Sequence, residues 1–247
     1  MGKRSSRSQR ATSAQEDTVE NNQSKIKPKR VPKLDFQAIN DEQRHLLKTI
    51  HENSVTFVKG PPGCGKTFIA VGYALQHLFK GDFSGILFSR PAVEADERLG
   101  YLPGDVHEKI NPYMIPIYDS LYKLVGPTRA NELLQSRSKR TEIRVLPIAY
   151  MRGVTFDHSF VVIDEAQNIT VKQMRMILTR LGDSSKIVIC GDAKQSDLNG
   201  NGCNGLSKSF ELLRDIDDIA FVEMTHASIV RHPLVAEIEK RFDTEKK

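Results

Sequence analysis

The chain reads as an α/β protein, a mostly parallel β-sheet with helices on both faces, and three observations carry that expectation. Short apolar runs alternate along the body with stretches of helical periodicity. Runs that are apolar throughout, instead of at every second residue, mark strands buried on both sides, as in parallel sheets. Gly60-Pro-Pro-Gly-Cys-Gly-Lys-Thr67 completes the spacing of a phosphate-binding loop between one such run and a helical stretch, at the strand end where open α/β sheets place their ligands.

Taken in order, Asn40 is a capping residue with Gln43 three positions on, and Leu46, Leu47 and Ile50 form an apolar face, which predicts a helix to about His51. Ser54 to Lys59 is the strand that enters the loop. The helix from Lys66 carries Ile69, Ala70, Tyr73, Ala74 and His77 at spacings of three and four and stops at Gly81. Gly85 to Phe88, Glu142 to Leu146, Phe160 to Ile163 and Lys186 to Cys190 are four further strands. A helix is expected from Val171 to Leu181, opened by Thr170 and closed by Gly182 and Asp183.

Composition bounds the class. The 247 residues are 39% hydrophobic and 27% charged, within the globular range, and no stretch approaches the roughly 18 to 20 apolar residues of a membrane span. With no secretory apolar core at the start, a cytoplasmic location is expected. Cys64, Cys190 and Cys203 are odd in number and one lies in the loop, so they read as reduced thiols. The net charge of +5 is uneven: 9 basic against 3 acidic residues over 1–33 give +6, and 27 against 28 over the remainder give −1. Residues 1–33 are therefore expected to be a disordered basic tail. Two uses for it stay open, contact with nucleic acid through counterion release and plain solvation. Residues 34–247 are expected to be one domain.

The loop points to a bound nucleoside triphosphate. Gly60, Gly63 and Gly65 let backbone N–H groups approach a polyphosphate closely, with Pro61, Pro62 and Cys64 between them. Lys66 reaches the β and γ phosphates, and the Thr67 hydroxyl is a ligand for Mg2+. Asp164 and Glu165 leave a buried strand as a pair: Asp164 suits the metal's coordination shell, and Glu165 suits the water that attacks phosphorus. Asp192 and Gln195 follow the next strand, either as sensors of the γ phosphate or as a polar turn. Gln43 offers one donor and one acceptor to adenine, the other reading being a solvent-facing helical glutamine. Seven histidines show no ligand spacing and are assigned structural work.

These segments together resemble the PhoH family, P-loop ATPases named for phosphate starvation and related to superfamily 1 helicases. The resemblance also rests on Arg90-Pro-Ala-Val-Glu-Ala-Asp-Glu-Arg-Leu-Gly-Tyr-Leu-Pro-Gly-Asp105, on Asp164-Glu-Ala-Gln-Asn168, on Gly191-Asp-Ala-Lys-Gln195 and on Val230-Arg-His-Pro-Leu234, and it runs from about Leu34 to Phe242. It implies ATP hydrolysis, a RecA-like core, handling of RNA or single-stranded DNA, and a homo-oligomer, with a hexameric ring favoured. Some relatives add a nuclease-like PIN domain, for which the residues before Leu34 are too few and too polar. Pro62 and Cys64 depart from the smaller or hydroxylated residues the family often has. A superfamily 1 motor closes two RecA-like domains on ATP, and this body supplies one, so a neighbouring subunit is expected to complete the site. Arg231 is the candidate for an arginine that stabilises the transferring phosphate, in its own chain or its neighbour's. Arg90 and Arg152 are candidates for gripping a phosphodiester backbone, or for pairing with local acids. Three activities fit: an ATPase that remodels RNA or single-stranded DNA, an ATP-driven switch acting on a protein, and an RNA-binding module with ATP as a structural ligand.

Overall fold

The apolar runs become six strands: β1 (Val55–Lys59), β2 (Gly85–Ser89), β3 (Glu142–Val145), β4 (Ser159–Ile163), β5 (Lys186–Gly191) and β6 (Ile219–Glu223). They form a single sheet in the order β3-β2-β4-β5-β1-β6, and every described pair is parallel. The computed structural model describes residues 34, 36–91, 106–136, 142–192, 195, 204–229, 234, 237–238 and 241. The basic segment 1–33, Cys203 and Arg231 lie outside them.

Alternation along each strand divides the sheet's two faces, because successive side chains point to opposite sides. On β4, Phe160 and Val162 join one core with Ile86, Phe88, Val188 and Cys190, while Val161 and Ile163 join the other with Leu87, Ile187 and Ile189. The first core is covered by α1 (Asp41–Glu52), α2 (Lys66–Lys80), α3 (Val106–Val125) and α4 (Pro127–Gln135). The second is covered by α5 (Val171–Leu178) and α6 (Gly205–Leu212). The expected sheet with helices on both faces is the observed one. Residues Val31–Lys247 form one unit, and among the described residues no helix is long and apolar enough to cross a membrane.

One expectation needs correction in extent. The helix placed at 171–181 ends at Leu178, because the Thr179 hydroxyl turns back onto Arg175 and Met176 carbonyls, and the next residues pair with the loop before β4. Phe156 N–H donates to Arg180 O at 2.9 Å and Gly182 N–H to Phe156 O at 3.1 Å, so these groups are not left for a helix. Helices α3, α4 and α6 and strand β6 had no predicted counterpart.

Helix α1 is pinned to the chain beyond β6 by Glu42. Its carboxylate accepts from Thr225 N–H at 2.8 Å, from the Thr225 hydroxyl at 2.6 Å and from the Ser228 hydroxyl. Burial alone would raise the Glu42 pKa, but the bonds from Ser228 and Thr225 outweigh it and hold the group below its ordinary value. A carboxylate depressed in the folded state contributes stability above its unfolded pKa and loses it as pH falls through the folded one. Glu42→Gln is therefore expected to cost about 1 kcal/mol at neutral pH, the scale of a charged hydrogen bond discounted for exposure. The difference from the parent should close as pH falls below the carboxylate range, which thermal melts in a pH series would read.

Candidate active site

The site forms where β1, β4 and β5 end side by side, and each ending is written in the residue that follows the strand. After β1, Gly65 takes a left-handed conformation (φ +93°) and opens α2. A Cβ there would sit 2.8 Å from Gln43 Nε2, so a side chain would be strained in backbone and also displace Gln43. Lys66 folds onto its own loop and donates to Gly60 O at 2.7 Å and Pro61 O at 2.9 Å.

The loop and the acidic strand end meet directly. Thr67 Oγ1 donates to Asp164 Oδ1 at 2.8 Å, across 97 residues of sequence. Asp164 is 6% exposed, and burial followed by the neighbouring Glu165 charge raises its pKa, against the opposing pull of Thr67 and Arg90. A buried carboxylate whose charge is penalised, beside a hydroxyl, is a pair of hard oxygens suited to a small divalent cation. Both residues therefore fit Mg2+, and Lys66 fits a phosphate in exchange for carbonyls. Behind the loop, a Cβ on Gly60 would meet Met224 O at 2.8 Å, so the loop's first residue packs backbone to backbone against the chain after β6.

Glu165 sits in a left-handed conformation (φ 52°, ψ 41°), which bends the chain out of β4. Its carboxylate is held from two sides, by Arg90 at the end of β2 (3.0 Å) and by Gln167 Nε2 (2.5 Å). The other atom of the Gln167 amide, Oε1, accepts from Asp192 N–H at 3.0 Å. Arg90, Glu165, Gln167 and Asp192 thus form one chain of polar contacts across the ends of β2, β4 and β5. Gly191 makes this possible, since a Cβ there would lie 3.0 Å from Gln167 Oε1 and 2.6 Å from Leu206.

A cavity of about 580 Å³ opens over these groups. Pro62, Gly63, Gly65, Lys66 and Thr67 line it, with Asp164, Glu165, Arg90, Asp192 and Gln195. Gly60, Pro61 and Cys64 sit outside its wall, and the first two lend their carbonyls to Lys66. Cys64 and Cys190 are buried free thiols, the latter pushed well above its ordinary pKa by burial and by Asp164.

Gln43 lines the cavity but is not solvent-facing. It is 4% exposed, its Oε1 accepts from Ile39 N–H at 3.0 Å, and its Nε2 donates to Cys64 O at 3.1 Å, bracing the loop from behind. Arg90 takes the second of its two readings, a pair with a local acid. Arg152 is exposed in the turn after β3 and does not line the cavity, so the structure does not bring it to the site.

Three contributions had been missed. Gln167 was passed over although an amide two residues after paired acids can serve both with one side chain. From α3, Pro116, Ser120 and Lys123 line the cavity at spacings of four and three. Ile39 and Phe68 supply apolar wall.

A family model described as PhoH-like protein matches residues 35–243. The PhoH-like protein of Synechocystis is 43% identical over 201 residues, which cover 81% of this chain and 60% of that protein. The PhoH-like protein of Bacillus subtilis is 44% identical over 201 residues, 81% of this chain and 62% of its own. The chain thus spans about three fifths of the length of these curated relatives. Among solved structures, the large terminase of a thermophilic bacteriophage superposes with a TM-score of 0.51 at 11% identity, over 83% of this chain and 50% of that one, a likeness of fold.

Proposed function

The chain belongs to the PhoH family, and from its α/β RecA-like fold and the geometry of its phosphate loop we propose that it is an ATP hydrolase driven by RNA or single-stranded DNA. The observation that carries this reading is the hydrogen bond from Thr67 to Asp164, which brings the phosphate loop and the acidic strand end into one site. Thr67 and Asp164 would hold Mg2+, which supplies charge neutralisation at the phosphates. Lys66 exchanges its carbonyl partners for phosphate oxygens. Glu165 takes a proton from the attacking water as the new O–P bond to the γ phosphorus forms and the bond to departing ADP breaks. Gln167 holds Glu165 and the Asp192 backbone in register while this happens.

Arg90 gives the reading its coupling to a polymer. Paired with Glu165 at 3.0 Å, it occupies one of the carboxylate oxygens that the attacking water would approach. A phosphodiester group that engages Arg90 releases Glu165, so strand binding and hydrolysis compete for one side chain. Assembly into a homo-oligomer, a hexameric ring, belongs to the same proposal. A neighbour then closes the cavity, and Arg231 supplies charge at the γ phosphate, worth on the order of a thousandfold in related chemistry. The free buried thiols suit a cytoplasmic setting.

Phosphate release by the purified protein, with and without single-stranded RNA and DNA, tests the reading alongside mass in solution with ATP. Hydrolysis that rises with either polymer, with a gain that falls steeply in salt, is the expected result. Absence of hydrolysis under all conditions overturns it. One observation favours a second reading: residues 34–247 carry a net charge of only −1, a weak field for a polyanion. On that reading the chain is an ATP-driven switch acting on a protein, and ATP changes its assembly while neither polymer changes its rate.

A further inference from the structure

The phosphate-handling residues account for only part of the cavity. The rest of its wall is of another chemical kind: Ile39, Phe68 on the first turn of α2, and the Pro116, Ser120 and Lys123 face of α3. That face is held in place by packing, because the adjoining stripe of Ile117, Leu121 and Leu124 is buried in the core shared with α2. Ile39 is 61% exposed although apolar, which leaves hydrophobic surface at the cavity with nothing of the described chain on it. The Ser120 hydroxyl donates to Pro116 O at 2.9 Å, and its oxygen remains able to accept. Lys123 makes no ion pair or hydrogen bond with any described residue.

We propose that α3 forms the nucleoside end of this pocket: Lys123 and Ser120 bind the sugar hydroxyls of ATP, and the base lies on Ile39 and Phe68. This rests on the reading of the site as an ATP site and adds a specificity element to it. The chemistry of the two parts divides in the way a nucleotide does. Charge-binding groups gather at the phosphate loop, where Lys66 and the Thr67 to Asp164 pair engage a polyphosphate. The remaining wall offers apolar surface to a base and, from α3, an acceptor oxygen and three ammonium N–H donors to vicinal hydroxyls.

The test compares the affinities of ATP, 2′,3′-dideoxyATP and inorganic tripolyphosphate, each with Mg2+, for the parent, Lys123→Ala, Lys123→Arg, Ser120→Ala and Lys66→Ala. Lys123→Ala is expected to weaken ATP about five- to tenfold, the scale of one hydrogen bond, and to leave tripolyphosphate unchanged. The parent should prefer ATP to the dideoxy analogue, and Lys123→Ala should shrink that preference. Lys123→Arg should restore part of it, and Ser120→Ala should lower it less. Equal losses for ATP and tripolyphosphate in Lys123→Ala would place the ammonium on the phosphates and overturn the inference, as would no loss of either. If the parent binds ATP and Lys66→Ala abolishes binding while Lys123→Ala is silent, only the inference fails. If the parent binds neither ligand, the ATP reading fails and the inference with it.

Discussion

Glu165→Gln is expected to lower kcat for ATP hydrolysis by about 10²- to 10⁴-fold, the range of a general base, and to leave ATP affinity within about twofold. The amide has the volume of the carboxylate and can still accept from Gln167, so β4, its left-handed exit and the Thr67 to Asp164 contact should persist. What is lost is the atom able to take the proton of water. Single-turnover phosphate release measured beside equilibrium binding separates these effects, because an enzyme defective only in chemistry still saturates at the parent's ATP concentration. Unchanged turnover in the variant would remove Glu165 from the reaction. Phosphate release by neither the parent nor the variant, with ATP still bound, would instead favour ATP as a structural ligand.

The parts of this site that were legible beforehand are those announced by local chemistry. A glycine-rich turn with lysine and threonine, or two acids after four apolar residues, can be recognised in one short segment because the strand end and the ligand group are neighbours in sequence. The bonds that tie the site together are not local. Thr67 and Asp164 are 97 residues apart, Arg90 and Glu165 are 75 apart, and Gln43 and Cys64 are 21 apart. The first two depend on the strand order, which brings β2, β4, β5 and β1 side by side in an arrangement that periodicity does not specify. Gln43 shows the difference well. Its place at the pocket followed from its position one helix and one strand before the loop, but its buried bracing bonds to Ile39 and Cys64 needed the packing of α1 on α2.

The missed elements have equally particular causes. Helix α3 contains Pro112 and Pro116, and prolines inside an apolar periodicity argue against a helix, since each removes a backbone donor. Tertiary packing overrides that cost here through Met114, Ile117, Leu121 and Leu124, all buried. Strand β6 does carry an apolar run, Ile219 to Val222, but the run is brief, follows Asp215, Asp217 and Asp218, and lies at the sheet edge with only Val222 fully buried. Helix α6 has eight residues, and its burial rests on Leu206 and Phe210 with the small Gly205 and Ser209 beside them, too short a stripe to define a period.

Arg90→Ala is expected to raise hydrolysis without polymer by about three- to tenfold and to abolish the further rise on adding single-stranded RNA or DNA. The Arg90 and Glu165 side chains are only 22% and 33% exposed, so their 3.0 Å pair is less screened than a surface ion pair. An arginine held there occupies one carboxylate oxygen while Gln167 holds the other, so neither is open to the attacking water. Removing the guanidinium therefore frees Glu165 and at the same time deletes the group that a phosphodiester would capture. The two halves of the result are linked: a variant that gains basal rate must lose stimulation, because one contact carries both. Gln167 still holds the other carboxylate oxygen, so Glu165 should keep its place in the variant. Steady-state phosphate release at saturating ATP, with and without polymer, reads both quantities in one experiment. A fall in basal rate with stimulation intact would mean that Arg90 positions Glu165 for catalysis instead of restraining it, and the link between strand binding and hydrolysis would have to run through another side chain.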